Sequence, residues 1–187
     1  VLARSRMKGK RPLGYTGGMT DLSLRRFAPG DMHWLVARHQ DLYAREAGFD
    51  SRFGAVVAEV LHGFCTDHDP RCERGWLAEQ EGRRLGSIFC MREDAQTARL
   101  RLFLVVPEAR SQGLGKQLLA SCMGFARSAG YAGMVLKTYQ SHDAAGALYR
   151  AFGWQLQEVR PVRGYGQDLE EQTWRICFQA QSEEGMA

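Results

Sequence analysis

The chain has 187 residues, 44% of them hydrophobic, and a formal charge of +4 at neutral pH. Its length and apolar content suit one compact domain with a sizeable core, and no apolar run approaches the roughly 18 residues of a membrane-spanning helix. The positive charge does not mark a nucleic-acid-binding body, because Arg4, Arg6, Lys8, Lys10 and Arg11 account for more than all of it.

Residues 1–19 lack hydrophobic periodicity, and they lack the apolar stretch and cleavage site of a secretory signal. They read as a flexible basic segment, native or appended, with nucleic-acid contact as a minor alternative. A first residue of Val rather than Met suits a chain cut from a longer one, with Met7 and Met19 as other candidate starts. Residues 20–181 read as a single domain and 182–187 as a C-terminal tail.

Within that domain, residues 22–28 alternate leucine with arginine, as a half-buried strand does. A helix is predicted over 32–48, where Leu35, Val36, His39, Leu42, Tyr43 and Ala47 recur every three to four positions and Gly48 can close the last turn. Ser51 is the expected cap of a second helix carrying Phe53, Val56, Val57, Val60, Leu61 and Phe64 and ending at Thr66 or Asp67. Extended segments are predicted over 75–80, 83–92 and 98–106, the first two joined by a Glu81-Gly82 hairpin turn. There follow a helix over 112–128, a strand over 134–139, a short helix capped by Asp143 and stopped at Gly153, and strands over 154–162 and 172–179. Residues 163–171 read as a polar loop. This order predicts an α/β fold with a mixed, mostly antiparallel sheet of about seven strands, one parallel pair and flanking helices.

Five cysteines, with no C-x-x-C, read as reduced thiols in a cytoplasmic setting. His62, Cys65, His68 and Cys72 are the one set with spacing worth testing for zinc. They lack paired knuckle spacing, and His68-Asp69-Pro70 reads as a helix exit, so no metal is expected.

The most informative stretch runs from Leu104 to Lys116, Leu-Val-Val-Pro-Glu-Ala-Arg-Ser-Gln-Gly-Leu-Gly-Lys. A β-branched run feeding a glycine-rich basic turn and then a helix leaves backbone N–H groups unpaired at a positive dipole end, which favours an anion. Gly113 and Gly115 let a phosphate approach the main chain, and Arg110 and Lys116 supply cationic donors. The spacing matches neither the nucleotide triphosphate loop nor the dinucleotide fingerprint, which argues against ATP and NAD.

Arg110-x-x-Gly113-x-Gly115 and the downstream Ala145-Gly146-Ala147-Leu148-Tyr149-Arg150-Ala151-Phe152-Gly153-Trp154 resemble the two ordered signatures of the GNAT superfamily of N-acetyltransferases, with Trp154 where Phe is usual. The resemblance implies the GNAT fold, in which a parallel strand pair splays to admit acetyl-CoA. It implies coenzyme contacts from Leu104, Val105, Val106, Arg110, Ser111, Gln112, Gly113, Leu114, Gly115 and Lys116, with the Val105 main chain bonding the thioester carbonyl or the pantetheine. His142 stands where the family often has Asn. By the same resemblance, Tyr149 donates a proton to the departing thiolate during direct transfer to a primary amine of a small molecule or peptide. The usual strand carboxylate has no counterpart in Leu100-Arg101-Leu102-Phe103-Leu104-Val105, leaving Glu46 or a water chain as base. A non-catalytic acyl-CoA sensor is the alternative, since an intact loop predicts binding rather than turnover. Homodimers are common in the family.

A looser similarity joins Gly30-Asp31-Met32, His39, Leu42-Tyr43, Glu46, Gly48-Phe49-Asp50, Trp76-Leu77-Ala78-Glu79 and Gln172-Thr173-Trp174 to the GNAT half of bacterial MarR-type fusion proteins. No winged helix is recognisable in the sequence. Trp34, Tyr43, Phe49 and Trp174 are candidate acceptor-pocket aromatics, each also readable as core.

Overall fold

The computed structural model describes residues 22–139 and 143–178. Seven strands form one sheet: β1 (Ser23–Arg26), β2 (Arg74–Gln80), β3 (Arg83–Arg92), β4 (Thr97–Val105), β5 (Gly133–Tyr139), β6 (Gln155–Gly164) and β7 (Gln167–Cys177). Four helices flank it: α1 (Met32–Ala47), α2 (Arg52–Asp67), α3 (Leu114–Ser128) and α4 (Asp143–Ala151). The strand order is β1-β2-β3-β4-β5-β7-β6, and every neighbouring pair is antiparallel except β4 with β5. The expected fold class therefore holds.

Both faces of the sheet are covered, and adjacent residues of β3 show it. Phe89 joins Leu35, Val57, Leu61, Phe64 and Leu77 in a cluster with α1 and α2, whereas Ile88 joins Leu118, Leu119, Cys122 and Ala126 of α3. Each of the leucine, isoleucine, valine and phenylalanine side chains among them, fully buried, stabilises by about 1.5–3 kcal/mol. The chain enters α1 through Asp31, which is almost wholly buried. Its carboxylate accepts from Arg25 at 2.7 and 2.8 Å, from Arg84 at 2.8 Å and from the Ala28 amide at 3.0 Å. The Arg25 contact foremost holds its carboxyl well below the usual carboxylate range. One side chain thus ties β1, β3 and α1 together.

Several boundaries differ from expectation for identifiable reasons. Gly48, at φ 70°, ends α1 as anticipated, but Ser51 makes no side-chain cap on α2. Asp50 does the local work instead, its Oδ1 accepting from the Arg52 amide at 3.0 Å. Helix α3 starts at Leu114 rather than residue 112, because Ser111 and Gly113 adopt positive φ. Residues 163–171 are not a loop: β6 and β7 continue to a two-residue turn, Tyr165-Gly166, with φ values of 53° and 80°. The strands there are largely exposed, so their polar composition concealed them.

The sheet's decisive irregularity lies in β4. Residues Phe89↔Arg101 and Ser87↔Leu104 are paired, so Leu102 and Phe103 together face the single residue between Ser87 and Phe89. This is a bulge. Leu102 sits at φ 48°, a left-handed conformation costing a leucine about 1–2 kcal/mol, and the fully buried Ser87 hydroxyl donates to its carbonyl at 2.7 Å. Pairing of β4 with β5 is confined to Thr97↔Gly133, Ala98↔Met134 and Arg99↔Val135. Beyond those pairs the two parallel strands part.

Candidate active site

Two cavities open where β4 and β5 separate, and they share Tyr43, Phe103, Thr138 and Tyr149. The larger, about 540 Å³, is bounded by β4 at Leu104 and Val105, by the loop at Arg110 and Ser111, by Gly115 and Leu148, and by Leu42 and Glu46 of α1. The smaller, about 320 Å³, lies between α1 and α2 and the strands. Among its lining residues are His39, Phe53, Arg99, Arg101, Lys137, Tyr139, Tyr165 and Glu171.

The larger cavity has the features of an anion and acyl-chain groove. No side chain caps the N-terminus of α3, and Gln117 makes the helix's first amide bond, to the Gly113 carbonyl at 3.1 Å. The amides of Leu114, Gly115 and Lys116 consequently precede the intrahelical ladder at the positive end of the dipole. Gly113, at φ 81°, makes the turn that any residue with a Cβ would strain. A Cβ on Gly115 would lie 3.4 Å from Leu148, 3.7 Å from Phe103 and 3.9 Å from Val105, on the groove floor. Arg110 crosses this space: its Nε donates to the Val105 carbonyl at 3.1 Å, and its Nη2 pairs with Glu46 at 2.8 Å. These features fit a diphosphate followed by an extended acyl-pantetheine arm: free amides, a cation and an opened strand edge.

Of the residues expected to contact the coenzyme, Leu104, Val105, Arg110, Ser111, Gly115 and Tyr149 line the groove, while Gly113, Leu114 and Lys116 lie on the turn and first helical residues. Val106 is core, and its amide already donates to the Leu85 carbonyl at 2.9 Å. Gln112 turns its side chain to the Glu108 carbonyl at 2.9 Å. His142 lies outside the described residues. Glu46, the candidate base, lines the larger cavity on its Arg110 side.

Tyr149 stands at the junction. Helix α4 places it among Phe103, Trp154 and Trp174, with ring centroids 6.3, 5.9 and 5.8 Å away. Burial first, and the nearby Tyr43 second, push its phenol well above the ordinary range, so it remains protonated at neutral pH. Burial likewise pushes Tyr43 up to about 12, with Glu46 and Tyr165 adding to it.

The smaller cavity is roofed by two segments distant in sequence. The Asp50 amide donates to the Tyr165 carbonyl at 3.0 Å, and Gln167 Nε2 donates to the Gly48 carbonyl at 3.0 Å, clamping the α1–α2 loop beneath the β6–β7 turn. Aromatic rings fill the clamp, with Tyr43–Phe53 centroids at 4.3 Å, Phe49–Tyr165 at 4.9 Å and Phe49–Tyr139 at 5.4 Å. Tyr43 and Phe49 therefore belong to this region. Trp174 is core behind Tyr149, and Trp34 packs beside Arg84. His39, buried in α1, sets Nδ1 2.9 Å from the Leu35 carbonyl, which makes Nδ1 the protonated nitrogen and leaves Nε2 without a hydrogen-bond partner. Burial lowers its pKa to about 4, so the ring is neutral at pH 7.

Two of the four possible zinc ligands are engaged elsewhere. His68 Nδ1 lies 2.7 Å from the Phe64 carbonyl and its ring stacks on Phe64, while Cys72 meets Arg92. Among the described residues no three His, Cys, Asp or Glu side chains gather as a metal site, and no helix is long and apolar enough to cross a membrane. Sequence reasoning missed Arg101, Phe103 and Thr138 as lining residues. An arginine inside an otherwise apolar strand segment was a usable signal for the first.

Residues 32–154 match the model of the acetyltransferase (GNAT) family. Human N-acetyltransferase 8 is 37% identical over 90 residues, covering 44% of this chain and 40% of that protein. The chain spans less than half the length of the curated relatives it matches. Among solved structures, the ribosomal-protein-alanine N-acetyltransferase from Brucella melitensis superposes with a TM-score of 0.67 at 20% identity, over 84% of this chain and all of that one. The yncA protein of Salmonella typhimurium, solved with its cofactor acetyl-CoA, gives 0.67 at 16% identity, over 90% and 100% of the two chains.

Proposed function

The chain belongs to the GNAT acetyltransferase family, and from that premise we propose that it moves an acetyl group from acetyl-CoA directly to a primary amine, with Tyr149 as general acid. Acetyl-CoA, when bound, supplies the acetyl group as a thioester. The α3 amides and Arg110 hold the diphosphate, and the β4 edge opened by the bulge, at Val105, aligns the arm. The amine enters from the smaller cavity as the neutral base. Its lone pair forms the new C–N bond, the C–S bond breaks, and the Tyr149 hydroxyl gives its proton to the sulfur. The amine's surplus proton leaves through water, which returns a proton to the Tyr149 phenolate and restores the starting state. Glu46 serves as the resting partner of Arg110, since its carboxylate faces the coenzyme side.

The single observation that carries this reading is Tyr149's place in the wall of both cavities. We further infer that residues 20–181 act as one domain in the cytoplasm. The looser likeness to the GNAT half of MarR-type fusions makes a winged-helix neighbour the natural companion domain. Calorimetry with CoA and acetyl-CoA, followed by thiol release over an amine panel for wild type and Tyr149→Phe, tests the assignment. Binding heat with amine-dependent release, lost in the variant, is expected. No heat with either form of the coenzyme refutes it, and heat without release points to the sensor alternative.

A further inference from the structure

We propose that the smaller cavity selects an amine that also carries a carboxylate, an apolar or aromatic amino acid or a close analogue, and that Arg101 holds that carboxylate. The proposal rests on the acetyl-transfer reading for the fate of the amine. The anion site itself stands on separate observations.

The charged residues that line this cavity are Arg99, Arg101, Lys137 and Glu171. Arg99 is paired with Glu93. Lys137 lies 3.2 Å from Glu171, which also accepts from Arg160 at 2.6 Å. Arg101 alone of the four has no hydrogen bond, ion pair or stacked ring among the described residues. It is half-buried in β4, two residues before Phe103. Desolvation first, and Arg99 second, disfavour its charge, with Glu93 and Tyr165 opposing them. A guanidinium does not escape such a site by deprotonating. It keeps five donors in a planar fork whose best complement is a carboxylate accepting two parallel bonds.

The rest of the lining matches the rest of such a molecule. Tyr43, Phe53, Tyr139 and Tyr165 offer aromatic surface to an apolar side chain, and Tyr149 marks the end at which the amine must arrive. His39 of the same lining has an enclosed Nε2 that lacks a donor, so beside the unmatched guanidinium of Arg101 the lining holds an acceptor that complements an amine. A volume of about 320 Å³ suits a single amino acid. A protein N-terminus would bring an amine without the adjoining carboxylate and would leave Arg101 unmatched.

The test uses the full chain saturated with CoA and two probes that cannot react, N-acetyl-L-phenylalanine and its neutral primary amide, with the leucine pair alongside. Calorimetry is expected to show the acids binding about tenfold to a hundredfold more tightly than the amides. Arg101→Gln should erase that preference and Arg101→Lys should keep part of it, melting curves confirming that both variants fold. In parallel, thiol release from acetyl-CoA compares L-phenylalanine and L-leucine with their amides and with 2-phenylethylamine. The free acids should give the highest kcat/KM, with the advantage lost in Arg101→Gln mainly through KM. Equal binding of acids and amides, absence of binding by any acid, or an acid preference that survives Arg101→Gln overturns the proposal. Turnover that favours the amides refutes the carboxylate anchor and leaves acetyl transfer standing. Arg101-dependent acid binding by a protein that gives no heat with CoA does the reverse.

Discussion

Ser87→Ala removes a buried hydroxyl that donates to the Leu102 carbonyl at 2.7 Å and so unfastens the bulge that parts β4 from β5. Loss of a buried hydrogen bond that strands its acceptor costs about 1–3 kcal/mol, and the left-handed Leu102 gives the strand a further reason, about 1–2 kcal/mol, to relax. A net loss of about 2 kcal/mol lowers Tm by about 4–8 °C in a domain of this size. Relaxation of the bulge shifts the register by one residue and turns the side chains beyond it to opposite faces. Phe103 and Val105 would then leave the groove wall, and Kd for CoA should rise about tenfold, equivalent to about 1.4 kcal/mol. Scanning calorimetry gives the first quantity and titration calorimetry the second, below the melting range. A Tm within a degree of wild type would show that the hydroxyl does not hold the bulge, and a lowered Tm with unchanged CoA affinity would sever the link between bulge and groove.

Tyr149→Phe should lower kcat by about 10²- to 10⁴-fold while Kd for CoA changes little, the range expected on removing a positioned acid. A loss in KM alone would assign it to binding instead. Glu46→Gln frees Arg110 before the diphosphate arrives, and because that pair is half exposed it should tighten acetyl-CoA by about fivefold at most. Weaker binding in Glu46→Gln would mean that the carboxylate contacts the coenzyme. His39 has a folded pKa of about 4 against 6.5 unfolded, so between those values the unfolded chain binds the extra proton and stability falls as pH falls. The loss from pH 7 to 5 is about 2 kcal/mol, read from urea melts, and His39→Phe should flatten it. Asp31→Ala leaves Arg25 and Arg84 facing an empty buried position and should cost about 3–5 kcal/mol. A denaturation midpoint near wild type would show that the arginines find other partners.

The groove at the start of α3 was readable because its requirements are local. Glycines at a helix start, a flanking arginine and a tyrosine on a short helix leave a fixed spacing from Arg110 to Gly115 and from Ala145 to Gly153. The helical stripes of α1, α2 and α3 were readable for the same reason, through the three-to-four-residue periodicity of their apolar positions. The smaller cavity was readable only at Tyr43 and Phe49, because long-range contacts make the rest of it. Nothing local in Leu102 announces a left-handed residue. Its conformation depends on Ser87 across the strand pair. The β6–β7 hairpin hid its strands behind exposed polar residues, so the contribution of Tyr165 to the roof was also concealed. Glu46 was placed on the correct helix, but the sequence holds no measure of which cavity its carboxylate faces.

The clamp between the α1–α2 loop and the β6–β7 turn sets the roof of the smaller cavity apart from the walls of the larger one. Gly48, Asp50, Tyr165 and Gln167 are joined to one another by hydrogen bonds that do not involve the start of α3, where the diphosphate is proposed to bind. On the proposed acetyl transfer, substitutions in these two short turns would alter the choice of amine while leaving the proposed coenzyme groove unchanged.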